Sequence, residues 1–193
     1  MKRMRMLAGV LAATALAVGL VVAGTGAARA DVVPPSPPQW AEIFNPHLTG
    51  SGITLCIDDP GGSWGNPQAL QLWRCHGYAS NGGPQRWVFS SNEVTGLFGT
   101  EMPVYYIYNA ADNLCLGLPP NHTAGMSVVQ ETCSTNTLWV LRNVGPDFQL
   151  QWFGGVTAPL WCVASDTFLD VNGNRLLGEP CDQYNTSQLW NLG

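Results

Sequence analysis

A unit of two cysteines followed by a tryptophan occurs three times along the chain, which restricts it to folds assembled from three similar parts. By position the cysteines pair as Cys56 with Cys75, Cys115 with Cys133, and Cys162 with Cys181, at spacings of 19, 18 and 19 residues. The tryptophans are Trp87, Trp139 and Trp190, 52 and 51 residues apart. Two stand in the pattern Gln-x-Trp, as Gln85-Arg86-Trp87 and Gln188-Leu189-Trp190, and the middle one reads Thr137-Leu138-Trp139. All six cysteines are used, two per repeat, so none is left over. Each bond would close a loop of about 19 residues and contribute roughly 3 kcal/mol by restricting the unfolded chain.

Two segments of other character precede the repeats. Lys2, Arg3 and Arg5 are followed by an apolar run from about Met6 to Val22, then by small residues leading to Ala28-Arg29-Ala30. This is the pattern of a secretory signal peptide over residues 1–30, cut before Asp31. An uncleaved anchor is the competing reading, because the apolar run approaches the length of a membrane span. The Ala-x-Ala and the polar chain after it favour cleavage and a secreted, extracellular protein. Residues 31–44 read as a linker, since Val32-Val33-Pro34-Pro35-Ser36-Pro37-Pro38 favours an extended, semi-rigid backbone. A single domain is expected over residues 45–193, with repeats at about 45–92, 104–143 and 148–193.

Charge narrows the partners. Cleavage would remove Lys2, Arg3, Arg5 and Arg29, leaving four arginines, no lysine and all 13 acidic residues, a formal charge of −9. That argues against nucleic acid and against anionic membranes, which both require basic surface. In an oxidising compartment the evenly spaced cysteines form disulfides. Cys-x-x-Cys does not occur, which disfavours zinc.

The repeats themselves read as all-β. Short runs such as Ile53-Thr54-Leu55-Cys56-Ile57, Val104-Tyr105-Tyr106-Ile107-Tyr108 and Phe148-Gln149-Leu150-Gln151-Trp152 alternate with turn clusters such as Asp59-Pro60-Gly61-Gly62 and Asn172-Gly173-Asn174. One such unit cannot bury a core alone. Three around a pseudo-threefold axis share one, and the tryptophan of each would enter it.

At these residues the chain resembles the ricin-B-like β-trefoil lectins. The resemblance covers residues 45–193 and is carried by the threefold Cys…Cys…Gln-x-Trp pattern, by Leu55-Cys56-Ile57-Asp58 and by Leu70-Gln71-Leu72-Trp73-Arg74-Cys75. It implies non-catalytic carbohydrate binding, with polysaccharide or a glycoconjugate as partner and no cofactor or metal. In that family each repeat offers a shallow pocket. An Asp two residues after the first Cys accepts from sugar hydroxyls, and an aromatic two before the second Cys covers the C–H face of the ring. The Gln of Gln-x-Trp holds the Asp, and an Asn before that Gln donates.

Carried over residue by residue, repeat one keeps Asp58, Gln71, Trp73 and Gln85. It departs at Pro84, which has no side-chain donor where the Asn is expected. Asn81, in the loop before Pro84, is the candidate replacement, and Trp64 could add a second wall. Repeat two has Gly117, Glu131 and Thr137 at the Asp, aromatic and Gln positions, and repeat three has Ala164, Glu179 and Gln188. Sugar binding is therefore expected mainly from repeat one. Asp58→Ala would abolish it at little cost in stability if Asp58 faces solvent.

Other chemistries fit less well. His47, His76 and His122 are the only histidines. Gly61-Gly62-Ser63-Trp64-Gly65 matches the letters Gly-x-Ser-x-Gly in a glycine-rich loop of an all-β pattern, without the strand-to-helix turn that a nucleophile elbow needs. Asp58 and Asp59 are adjacent, so on a strand they point apart and cannot serve one reacting bond. Asp166…Asp170…Asn172…Asn174 offers oxygens but not the full pattern of a calcium loop, and reads as a polar turn. Asn121-His122-Thr123 and Asn185-Thr186-Ser187 match the glycosylation sequon; the Ala-, Val- and Gly-rich leader reads as a bacterial one, so both are expected unmodified. The alternative from another class is a β-trefoil scaffold that binds a protein partner, as an inhibitor or surface interaction module, with its sugar sites degenerate. The two depleted repeats and Pro84 favour it.

Overall fold

The computed structural model describes residues 34–35, 39–60, 66–77, 83–92, 103–154 and 159–193. The segment read as a signal peptide and most of the proline-rich run lie outside them. Among the described residues there is no α-helix, and no helix is long and apolar enough to cross a membrane.

Repeat one contributes β1 (Ile43–Asn45), β2 (Leu55–Asp58), β3 (Gln68–Ala69), β4 (Gln71–Arg74) and β5 (Trp87–Asn92). Repeat two contributes β6 (Val104–Asn109), β7 (Cys115–Gly117), β8 (Met126–Ser127), β9 (Val129–Glu131) and β10 (Leu138–Val144). Repeat three contributes β11 (Asp147–Trp152), β12 (Trp161–Ser165), β13 (Asn174–Pro180) and β14 (Asn191–Leu192).

The first and last strands of the repeats close a barrel. β5 pairs with β6, β10 with β11 and β14 with β1 between repeats. Within repeats β6 pairs with β10, and the bridges Ala41–Trp87 and Phe148–Trp190 complete the ring. The middle strands form three hairpins, β2–β4, β7–β9 and β12–β13, which cap one end. The caps join one another through β3–β9, β8–β13 and β13–β4. This is a β-trefoil. The barrel begins at Ala41, inside the segment read as linker, because Ile43 is fully buried and pairs with Leu192.

The repeated residues do the same work three times. Trp87, Trp139 and Trp190 are fully buried in the core. Each indole N–H donates to the carbonyl of the residue after the first Cys of its own repeat: Ile57 at 3.0 Å, Leu116 at 2.8 Å and Val163 at 3.0 Å. A buried indole therefore loses no hydrogen bond on leaving water. The residue two before each tryptophan accepts from the backbone N–H that follows the second Cys. Gln85 accepts from His76, Thr137 from Ser134 and Gln188 from Asp182, at 2.9, 2.8 and 2.8 Å. Thr137 thus keeps this bond with a shorter side chain. All three predicted disulfides are closed, as in chains that mature in an oxidising environment.

Candidate functional site

Alternation along the β2–β4 hairpin separates core from surface. Leu55, Ile57 and Leu72 point inward and are fully buried. On the other face Asp58 stands opposite Gln71, and Cys56 opposite Trp73. Both Asp58 oxygens are held: Gln71 Nε2 donates to Oδ2 at 3.0 Å, and Gln85 Nε2 donates to Oδ1 at 3.1 Å. Gln85 Nε2 also donates to the carbonyl of Arg74 at 3.1 Å, so its amide ties the pocket to the strand. Each carboxylate oxygen keeps a lone pair for a further donor. Burial pushes the Asp58 carboxyl above its ordinary range, against the opposing pull of the Gln71 and Gln85 amides and of His76.

Trp73 is 38% exposed, with its ring free to cover a ligand. A cleft of about 250 Å³ is lined by Asp58, Asp59, Gln71, Trp73, His76 and Pro84. Pro84 supplies no side-chain donor, and its carbonyl accepts from Asp59 N at 3.1 Å and from Asn109 Nδ2 at 2.9 Å. Asp58, Gln71, Trp73 and Gln85 are thus brought together, whereas Asn81 and Trp64 lie outside the described residues. Asp58 does not face solvent freely, being only 5% exposed. Asp58→Ala would strip the partner from two glutamine amides and cost about 1–3 kcal/mol, so it does not separate binding from stability.

Asp59 was not a candidate from the sequence beyond its adjacency to Asp58. It is fully buried and, among the described residues, its carboxylate faces the Gln130 side chain without a hydrogen bond of good geometry. Burial drives its pKa up to about 6, with the Gln130 side chain opposing and the charges of Asp112 and Asp58 adding to the rise. The repeat phase carried the signal: Asp59 stands three residues after Cys56, as the fully buried Leu118 stands three after Cys115. An acid raised in the folded state stabilises it fully below the unfolded pKa, and that contribution is lost as pH rises through about 6. In urea melts at acid and neutral pH, the advantage of wild type over Asp59→Asn is expected to shrink by on the order of 2 kcal/mol at neutral pH. An equal difference at both would refute it.

The other two hairpins lack the constellation for visible reasons. In repeat two, Glu131 swings its carboxylate over Gly117. A Cβ at Gly117 would lie 2.5 Å from Glu131 Oε1 and 2.9 Å from Thr137 Cγ2. The acid fills its own pocket from the opposite strand, and burial pushes its pKa up. In repeat three, Gln188 donates to the carbonyl of Pro180 at 2.9 Å, as Gln85 does to that of Arg74, but Ala164 gives it no carboxylate to hold. Gln149 Nε2 donates to Gln188 Oε1 at 3.1 Å instead.

The 166–174 segment is a polar turn built on protein hydrogen bonds. Asp170 accepts from the backbone N–H groups of Ser51, Gly52 and Ile53 at 2.5, 2.7 and 3.1 Å, which hold its carboxyl below the usual range, Ser51 most strongly. Asn174 Nδ2 donates to the carbonyls of Thr167 and Leu169, and Asn172 Oδ1 accepts from Arg74 N. His47 Nε2 lies 2.8 Å from Asp147 Oδ2, and His122 packs edge-on against Trp152 and Trp161.

No protein-family model matches the sequence, and no curated protein does. Solved structures match the fold. The agglutinin of Rhizoctonia solani superposes with a TM-score of 0.63 at 14% identity, over 84% of this chain and 98% of its own. The ricin B-like lectin of Macrolepiota procera, solved in complex with lactose, superposes with a TM-score of 0.60 at 16% identity, over 83% and 98%. An exo-β-1,3-galactanase of Clostridium thermocellum matches with a TM-score of 0.60 at 16% identity, over 82% of this chain but only 31% of its own length. At these identities the likeness speaks for the β-trefoil and for nothing finer.

Proposed function

We propose that this protein is a secreted, non-catalytic carbohydrate-binding domain that acts through repeat one. The observation that carries the reading is the Asp58 carboxylate, fixed by two glutamine amides in a cleft walled by a half-exposed tryptophan. Vicinal hydroxyls of a neutral sugar need a fixed acceptor, and the C–H face needs an aromatic plane. Here Asp58 accepts from the ring hydroxyls, Trp73 stacks on the ring, and Gln71 and Gln85 position Asp58. Asn81 is the proposed replacement for the donor that Pro84 lacks. The lactose complex of a protein with this fold supports the ligand class.

A shallow single-sugar site has a Kd near 1 mM, about −4 kcal/mol. Multivalent proteins raise this by avidity. With one such pocket, useful affinity here calls for a glycan longer than one ring or for self-association.

A second reading, a scaffold for a protein partner, is favoured by the exposed apolar tip of the 166–174 turn, where Phe168, Leu169 and Val171 are 55%, 54% and 47% exposed. A glycan array probed with the disulfide-bonded protein decides between them. Binding to one defined glycan family, competed by its free sugar, is the expected result. No binding at high protein loading would favour the scaffold.

A further inference from the structure

We propose that the cleft of repeat one continues across β4 onto β13 as a second subsite. There Arg175 takes a carboxylate or sulfate carried by the ring next to the one held at Asp58. The inference rests on the carbohydrate reading above and names the class of glycan: an oligosaccharide with an acidic group on its second residue.

The placement follows from register. Asp58 of β2 stands opposite Gln71 of β4, and Gln71 stands opposite Arg175 of β13. Directly opposed residues of antiparallel strands share a face, so the three form a row. Alternation agrees, since the neighbouring pair Leu72 and Asn174 is buried while Arg175 is exposed. At a strand spacing of about 4.8 Å, the ends of the row are about 10 Å apart along the sheet. A disaccharide covers that span and a single ring does not.

The groups along the row suit such a ligand. Gln71 has its Nε2 committed to Asp58. Its Oε1 lies on the side of Gly173, where a Cβ would come within 4.0 Å of it. Gly173, at φ +81°, donates its N–H to the carbonyl of Leu72 and puts no side chain over the strip beside Trp73. A second ring therefore has a floor, an amide acceptor for one hydroxyl, and a guanidinium beyond it. Arg175 Nη2 donates to Ser127 Oγ at 3.2 Å, and Nη1 lies 4.0 Å from Asp166 Oδ2, the outer limit of an ion pair. The two side chains are 59% and 40% exposed, so water weakens that pair. The planar fork of donors matches a carboxylate or sulfate. A dense polyanion would be repelled by the acidic chain, which confines the fit to a glycan with isolated acidic groups.

The test uses the full disulfide-bonded protein and pairs of oligosaccharides that share a neutral terminal residue. They differ only by a uronate or sulfate group on the next ring. Wild type is expected to bind the acidic member about tenfold more tightly at low salt. Arg175→Gln should bind both members as wild type binds the neutral one, and Asp166→Asn should strengthen binding of the acidic one. Equal binding of both members by wild type would overturn the subsite and leave the carbohydrate reading standing. Loss of both ligands in Arg175→Gln, with a lowered Tm, would make Arg175 structural and also overturn it. No binding of either member by wild type would overturn both readings.

Discussion

Trp73→Ala is expected to abolish measurable glycan binding while the domain melts within a few degrees of wild type. Trp73 is 38% exposed and stands on the outer face of the β2–β4 hairpin, so its loss opens no cavity in the core. Its indole is the broadest aromatic wall of the cleft that Asp58, Gln71, His76 and Pro84 also line. Stacking on such a plane contributes about 1–3 kcal/mol by analogy with bases on aromatic side chains. Taken from a site worth about 4 kcal/mol, that loss removes roughly five- to 150-fold of affinity. Calorimetric titration with the ligand found on the array, beside a thermal melt, measures both quantities. Retained affinity would sink the stacking role and with it the assignment of the site to repeat one.

The largest effect on stability is expected from Trp139→Ala. Trp139 is fully buried, and its indole N–H donates to the carbonyl of Leu116 at 2.8 Å. Truncating a core aromatic costs about 3–5 kcal/mol, and the carbonyl left without a donor adds to it. For a domain of this size that lowers Tm by roughly 10 °C or more. Repeat two has Gly117, Glu131 and Thr137 in place of the proposed Asp, aromatic and Gln, so the folded fraction of the variant should keep wild-type affinity. The pair of variants thus reads out the same residue type in two roles. A Tm change of a degree or two would contradict a core shared by three tryptophans.

The fold was legible because its determinants recur. One Cys…Cys…Trp unit is weak information, but three in phase leave few ways to bury three indoles and three disulfides together. The strands were placed by the same phase, and β6 and β11 coincide with the runs 104–108 and 148–152 to within one residue. The boundary at Ala41 was not legible, because proline-rich composition runs up to it and only the pairing of Ile43 with Leu192 reveals the barrel edge.

The candidate site was legible only in part. Asp58, Gln71, Trp73 and Gln85 are what the family resemblance implies, and the Gln71–Asp58 hydrogen bond follows from their opposition in the hairpin. The burial of Asp58 was not legible, because Gln85, from a separate segment, meets its carboxylate only in the folded domain. Glu131 shows the same limit. Its position reads as a lost aromatic, and only the folded hairpin reveals that its carboxylate crosses to cover Gly117.

The sequence by itself determined the three-part architecture and the disulfide pairing, because each depends on residue type and spacing along one chain. Only the tertiary structure decided that Asp59 is a buried acid facing Gln130 of the next repeat. It also decided that Arg175 of repeat three shares a row with Asp58 of repeat one. Both relations cross between repeats far apart in sequence, and closure of the caps around the pseudo-threefold axis is what brings those strands side by side.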